Sequence, residues 1–223
     1  MQIVAVNGSP HGEKGSTGRL LAEVLGGTRE AGATVQLFEL GRLEIKPCRG
    51  CDACHRTGQC PLADAFAQVS AALLAADAVV LASPNYMFHV TAQMKSLLDR
   101  LCGPFHLHAF EGKYAATVVT AGGPELAPVA DYLTRFLRAI GCQTVGGVAA
   151  EAYRLTDAAA AGERFAEARA LGRRLVEAAR DKVSFPGQEA ERSAAARRMR
   201  ELISLRHSDW SYEYEYLRHH GQL

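Results

Sequence analysis

The sequence predicts an α/β fold, a doubly wound five-stranded parallel sheet followed by a C-terminal extension. Three observations predict it. Five short apolar runs recur along the first 150 residues, segments of helical period separate them, and loops rich in glycine, proline or cysteine follow several of the runs. Strands that alternate with helices imply a parallel sheet covered on both faces. The chain has 223 residues, enough for one such domain, expected over residues 1 to 183, with residues 184 to 223 as an appendage.

Gln2 to Asn7 is apolar and rich in β-branched residues, and Gly8-Ser9-Pro10 closes it, so it reads as a buried strand ending in a turn. From Ser16 to Ala31 the residues Leu20, Leu21, Val24 and Leu25 repeat at helical spacing, with Ser16 or Thr17 as the expected N-cap. Thr34 to Leu40 is the second strand. A cysteine-bearing insertion, residues 46 to 62, precedes a helix from Asp64 to Ala76. Strands are then expected at Ala78 to Ser83, Tyr114 to Thr120 and Thr144 to Ala149, and helices at Thr91 to Leu101, Ala127 to Ile140 and Glu163 to Arg180. The extension turns arginine-rich and then aromatic, ending in Trp210, Tyr212, Tyr214 and Tyr216. Its period of two fits a strand or the two sides of a helix, and the type stays open.

Apolar residues are 48% and charged residues 22%, which excludes wholesale disorder. Lys plus Arg total 25 against 24 for Asp plus Glu, so no net field draws the chain to nucleic acid or an anionic membrane. Arg197, Arg198 and Arg200 sit among Glu189, Glu191 and Glu201 and read as a solvated helix face. The longest apolar runs fall far short of the roughly 20 residues that span a bilayer, and Met1 leads straight into a strand without a basic leader. A cytoplasmic protein is expected.

Ligands of open parallel sheets bind outside the carboxyl ends of the strands. There the first loop, Gly8 to Thr17, brings hydroxyls, free backbone N–H groups and a helix N-terminus together, as a phosphate requires; taken alone it also fits a plain glycine turn. It lacks GxGxxG, and Lys14 is followed by Gly15, which disfavours a nucleoside triphosphatase. The loop Ser83 to His89 carries Tyr86, Met87 and Phe88, suited to stacking on a planar ring or to core and subunit contacts. Thr120-Ala121-Gly122-Gly123 lets backbone approach a ligand closely, or forms an ordinary turn.

Together the segments GSPHGEKGST, SPNYMFHVTAQMKSLLDR and TAGG, in that order and each after an expected strand, resemble the flavodoxin-like NAD(P)H-dependent FMN reductase superfamily over roughly the first 150 residues. The resemblance implies strand order 2-1-3-4-5 and an FMN site. It implies that Ser9, His11, Ser16 and Thr17 hold the phosphate. Pro84, Asn85, Tyr86, Met87 and Phe88 would line the ring and ribityl chain, and Thr120, Ala121, Gly122 and Gly123 would flank the isoalloxazine. His11 departs from the arginine common at that place in the family, which weakens charge pairing to the phosphate.

Cys48-x2-Cys51-x2-Cys54-x5-Cys60 begins as ferredoxin runs do, and such thiolates can converge on one inorganic core. Zinc fits less well, because its sites usually pair two separated knuckles. The motif resembles that of the iron-sulfur flavoprotein branch, which implies a [4Fe-4S] cluster on these four residues. It also matches CxGCxxCxxxGxC segments in the superfamily that need no cluster. Cys102 and Cys142 read as buried packing residues without chemistry, and His55, His89, His106 and His108 lack a persuasive ligand spacing.

The expected function is an FMN-dependent oxidoreductase or electron-transfer flavoprotein, with a ferredoxin-like donor or a small-molecule acceptor as partner. Without the cluster, an NAD(P)H-dependent FMN or quinone reductase is expected. A non-enzymatic electron carrier or redox sensor is the reading from another class. The resemblance also implies a homodimer or homotetramer, with the extension at a subunit interface.

Overall fold

Alternation along each strand decides which helices cover it. The computed structural model describes residues 1 to 223. In chain order the elements are β1 (Gln2–Asn7), α1 (Ser16–Glu30), β2 (Thr34–Glu39), α2 (Ala53–Thr57), α3 (Phe66–Ala75), β3 (Ala78–Pro84), α4 (Ala92–Arg100), α5 (Cys102–His106), β4 (Tyr114–Ala121), α6 (Ala127–Ala139), β5 (Gln143–Glu151), α7 (Ala158–Arg180), α8 (Pro186–Leu205) and α9 (Ser211–His219). The sheet is parallel throughout in the order β2-β1-β3-β4-β5, the flavodoxin-like order that the resemblance implies.

Val4 and Val6 of β1, Val79 and Leu81 of β3 and Val119 of β4 face one way, onto Val69 and Leu73 of α3, Met94 and Leu97 of α4, and Leu133 and Leu137 of α6. Their neighbours Ile3, Ala5, Val80, Ala82 and Val118 face the other way, onto Leu20, Leu21 and Val24 of α1 and Leu171 and Leu175 of α7. Both faces of β3 and β4 are buried along their whole length, which is why they read as unbroken apolar runs. Each such side chain contributes roughly 1.5–3 kcal/mol on burial. Where α1 and α7 cross, a Cβ on Gly27 would stand 1.9 Å from the Arg169 carbonyl oxygen, so the close packing needs glycine there.

Three elements differ from expectation. The helix from Thr91 stops at Arg100, with Thr91 as N-cap accepting from the Met94 N–H, and after Leu101 the chain re-forms as the short α5. α7 starts at Ala158, five residues early, because the Asp157 side chain caps it by accepting from the Ala160 N–H at 2.8 Å. The aromatic tail is helical: in α9 Glu213 and Leu217, four residues apart, form the buried stripe. α8 packs on α5 and α6, and α9 packs on α2 and α8, so the extension closes over the cysteine insertion. No helix is long and apolar enough to cross a membrane.

Candidate functional site

One cleft opens at the carboxyl ends of β1, β3 and β4. Ser9, His11, Ser16, Thr17, Pro84, Asn85, Tyr86, Thr120, Ala121 and Gly122 line it. Ten of the thirteen residues expected to touch the flavin therefore share one cavity; Gly123 lies outside its lining, and Met87 and Phe88 stand out from it, 88% and 68% exposed, at the tip of a turn closed between Tyr86 and His89.

The loops are tied to one another. Thr91 Oγ1 donates to the Gly8 carbonyl at 2.7 Å, the Asn85 N–H donates to the Thr120 carbonyl at 2.7 Å, and the buried hydroxyls of Thr17 and Thr120 bond at 2.6 Å. The expected N-cap is displaced by this. Thr17 spends its hydroxyl on Thr120, Gly15 occupies the cap position without a side-chain bond, and the first turn of α1 holds no acidic residue. The leading N–H groups of a 15-residue helix thus remain uncapped at the cleft. Asn85 donates to the Glu125 carbonyl but leaves its buried Oδ1 unpartnered. An anion on the helix end, and a polar ligand edge donating to Asn85, fit what is left open.

The cysteine insertion lies at a second site. Cys48, Cys51, Cys54 and Cys60 line one pocket with Arg100 and Cys102, and all six cysteines are free thiols. Gly50 and Asp52 take left-handed backbone with φ of 60° and 54°, turning the chain sharply between the first three cysteines.

Arg100, which sequence reasoning passed over, is the buried guanidinium of this pocket. Its side chain is 1% exposed, it pairs with the fully buried Asp64 at 2.5 Å, it donates to Cys60 Sγ at 3.2 Å, and it lies over the Phe66 ring. Burial would raise the Asp64 carboxyl, but Arg100 and the N–H groups of Lys46 and Phe66 outweigh it and hold the pKa below the ordinary value. Asp64 thus accepts from the first N–H of α3 and anchors Arg100.

Cys102 is not the inert packing residue that its isolation predicts, and His55 and His106 are not unrelated loop histidines. Their ligand atoms lie within 4.8 Å of one another. The Glu213 carboxylate, wholly buried, bonds His55 Nδ1 at 2.6 Å and His106 Nδ1 at 3.0 Å; the two Nε2 atoms face Cys102 Sγ at 3.8 and 3.6 Å. The imidazoles stack at 4.6 Å, and Trp210 covers both. Burial would lower both histidines, but for His55 bonds to Cys102, Cys54 and Glu213 push it up to about 12, and for His106 bonds to Cys102 and Glu213 push it up to about 9. Burial would raise the Cys102 thiol, yet the two imidazoles bring it down to about 7. The i, i+4 spacing of Cys102 and His106 was the available signal in the sequence. His108 stands apart, buried with neither ring nitrogen partnered. Cys142 is fully buried in the core, where burial pushes its thiol up to about 12.

Residues 1–154 match the family model described as NADPH-dependent FMN reductase. The chain belongs to this family. Among curated proteins, an iron-sulfur flavoprotein of Archaeoglobus fulgidus is 34% identical over 147 residues, covering 66% of this chain and 66% of its own length. An iron-sulfur flavoprotein of Methanocaldococcus jannaschii is 36% identical over 100 residues, covering 45% and 51%. The matched segment therefore spans about half to two thirds of these relatives. A solved flavone reductase superposes with a TM-score of 0.66 at 18% identity, covering 81% of this chain and 64% of that one, a likeness of fold. The FMN reductase match takes in the cleft, the cysteine motif, His55, Cys102 and His106, but ends before Trp210 and Glu213. The carboxylate that holds both histidines thus comes from outside the family's matched span.

Proposed function

We propose that this FMN reductase family member is a flavin-dependent oxidoreductase of the iron-sulfur flavoprotein type, carrying FMN in the cleft and a [4Fe-4S] cluster on Cys48, Cys51, Cys54 and Cys60. The observation that carries the reading is the grouping of four free cysteines around one pocket beside the buried cation Arg100. FMN supplies exchange of electrons in pairs or singly, and an iron-sulfur cluster supplies one-electron exchange.

The chain's own residues would position and protect these groups. Ser9, Ser16 and the uncapped N–H groups of α1 hold the phosphate, while Thr17 and Thr120 lock the loop that presents them. Small residues from Thr120 to Gly123 let backbone approach the ring, and Pro84, Asn85 and Tyr86 bound its other side. Arg100 offsets the charge of the thiolates and donates to Cys60, and Asp64 keeps that cation paired. With cysteines 48 and 51 exposed, the motif opens toward solvent, where a ferredoxin-like donor or another one-electron partner would dock. Six unpaired thiols suit a reducing cytoplasm.

The test is an absorption spectrum of anaerobically purified protein with iron, acid-labile sulfide and released flavin counted per chain. The expected result is one flavin with about four irons and four sulfides. Flavin without iron would replace this reading with an NAD(P)H-dependent FMN or quinone reductase whose cysteines are free, and no flavin after reconstitution would overturn the cleft assignment. The reading includes a homodimer or homotetramer; light scattering on the intact protein should give a dimer or tetramer mass, and a monomer mass overturns that part.

A further inference from the structure

We propose that His55 Nε2, His106 Nε2 and Cys102 Sγ form a separate site for one divalent transition-metal ion of the zinc class. It would act as a clasp between the cysteine insertion, α5 and the C-terminal extension. The inference does not depend on a [4Fe-4S] cluster being present, because it uses none of the four motif cysteines.

Donor counting comes first. Glu213 has no exposed surface and takes the Nδ1 atom of both histidines, at 2.6 and 3.0 Å. A carboxylate accepts only, so both rings carry hydrogen on Nδ1 and turn their Nε2 atoms toward Cys102 Sγ. A metal ion among these three atoms would take one lone pair from each, releasing whatever protons they hold.

Spacing comes second. Metal–nitrogen bonds of about 2.0–2.1 Å and a metal–sulfur bond of about 2.3 Å at tetrahedral angles put nitrogen and sulfur about 3.5 Å apart. The two observed separations are 3.6 and 3.8 Å. Cys102 and His106 hold this spacing from one face of a helical turn, and His55 arrives from α2.

The outer shell comes third. Histidine ligands usually give their second nitrogen to a carboxylate that fixes the ring, and here one carboxylate fixes two. Trp210 covers both rings and limits water. Two imidazoles and a thiolate select zinc, cobalt(II) or a similar ion over calcium or magnesium. Three protein ligands leave a fourth position, which a water can take, or the Asp52 carboxylate, whose Oδ1 lies 3.8 Å from His55 Nε2.

The test is anaerobic titration of EDTA-treated protein with Co2+, read by visible ligand-field bands and by thiolate-to-cobalt charge transfer, then repeated in variants. Wild type should bind one tetrahedral Co2+ per chain with the charge transfer of one thiolate, and Zn2+ should displace it. Cys102→Ser should abolish the charge-transfer band while iron and flavin per chain stay unchanged. Cys48→Ser should leave the cobalt spectrum intact. Glu213→Gln should weaken binding by about 10–100-fold. Absence of tetrahedral cobalt in wild type would overturn the proposal. So would a cobalt spectrum that survives Cys102→Ser or disappears in Cys48→Ser, since the sulfur would then come from the motif. Loss of iron in Cys102→Ser would equally overturn it by making Cys102 part of the iron site. Circular dichroism of each variant separates these outcomes from misfolding. A variant that misfolds is replaced by His106→Asn, for which the same loss of cobalt is expected.

Discussion

The cleft draws its lining from the loops after β1, β3 and β4 and their immediate neighbours, whereas the cysteine region is put together from an insertion, the break between α4 and α5, and a helix at the far end of the chain. His55 and Glu213, bonded at 2.6 Å, are 158 residues apart in sequence. The cleft is held by backbone groups and neutral hydroxyls, the cysteine region by buried charges. A parallel sheet delivers the first arrangement by its topology, since every strand end reaches the same edge. The second needs each buried charge to find its partner, and so it should fail more steeply when one partner is removed.

The largest effect should come from Asp64→Asn, which leaves the Arg100 guanidinium buried without its anion. A loss of about 3–5 kcal/mol is expected, read from urea unfolding with an unchanged slope, while flavin per chain holds steady. A matching loss of flavin would break the distinction between the two regions. The same pair sets an acid limit. Asp64 has a folded pKa below its unfolded value of about 3.9, so its stabilisation is complete above that value and is lost as pH falls through the lowered folded pKa. Wild type should therefore lose stability over that acid range more steeply than Asp64→Asn.

Next is the docking of the tail. Gly58 has φ of 76°, and a Cβ there would lie 2.5 Å from the Tyr212 ring. Gly58→Ala should cost about 1–3 kcal/mol and speed proteolysis of α9. Gly32→Ala has a similar positive φ with no atom within 4 Å of the added carbon, so it isolates backbone strain. Equal losses in the two variants would show that Tyr212 seating contributes nothing.

Smaller changes are expected in the cleft. Thr17→Val removes the bond to Thr120 and should cost about 1 kcal/mol, with flavin bound several-fold more weakly and iron unaffected. His11→Arg should tighten flavin binding by about 0.5–1 kcal/mol at low salt, with the gain shrinking as salt rises, because position 11 is exposed and the added guanidinium is screened there. Flavin titration at two ionic strengths checks it; a loss of affinity would mean that the phosphate lies away from His11.

The five strands, their order by resemblance, and the lining of the cleft were legible in the sequence because each is a local pattern. β-branched runs mark buried strands, and a loop between a strand and a helix has nowhere to go but the sheet edge. The N-cap of α1 was misplaced for a tertiary reason: the hydroxyl of Thr17 has a better partner in Thr120, 103 residues away. The cysteine motif was equally plain, since its four cysteines lie within one short segment.

What sequence could not decide is which isolated polar residues meet. Cys102 and His106 share one helical turn, a spacing that takes on meaning only when His55 and Glu213 arrive from elsewhere. Arg100 lies within the helix expected from Thr91 to Leu101 and drew no reading of its own, and only the fold surrounds it with Asp64, Cys60 and Phe66. The aromatic tail had two readings until α2 offered a surface to one face of a helix. Local pattern thus determined the sheet and the cleft, through side-chain periodicity and backbone chemistry; tertiary structure alone determined the buried charge network, because a buried ion is stable only beside a partner whose place in the sequence no local rule fixes.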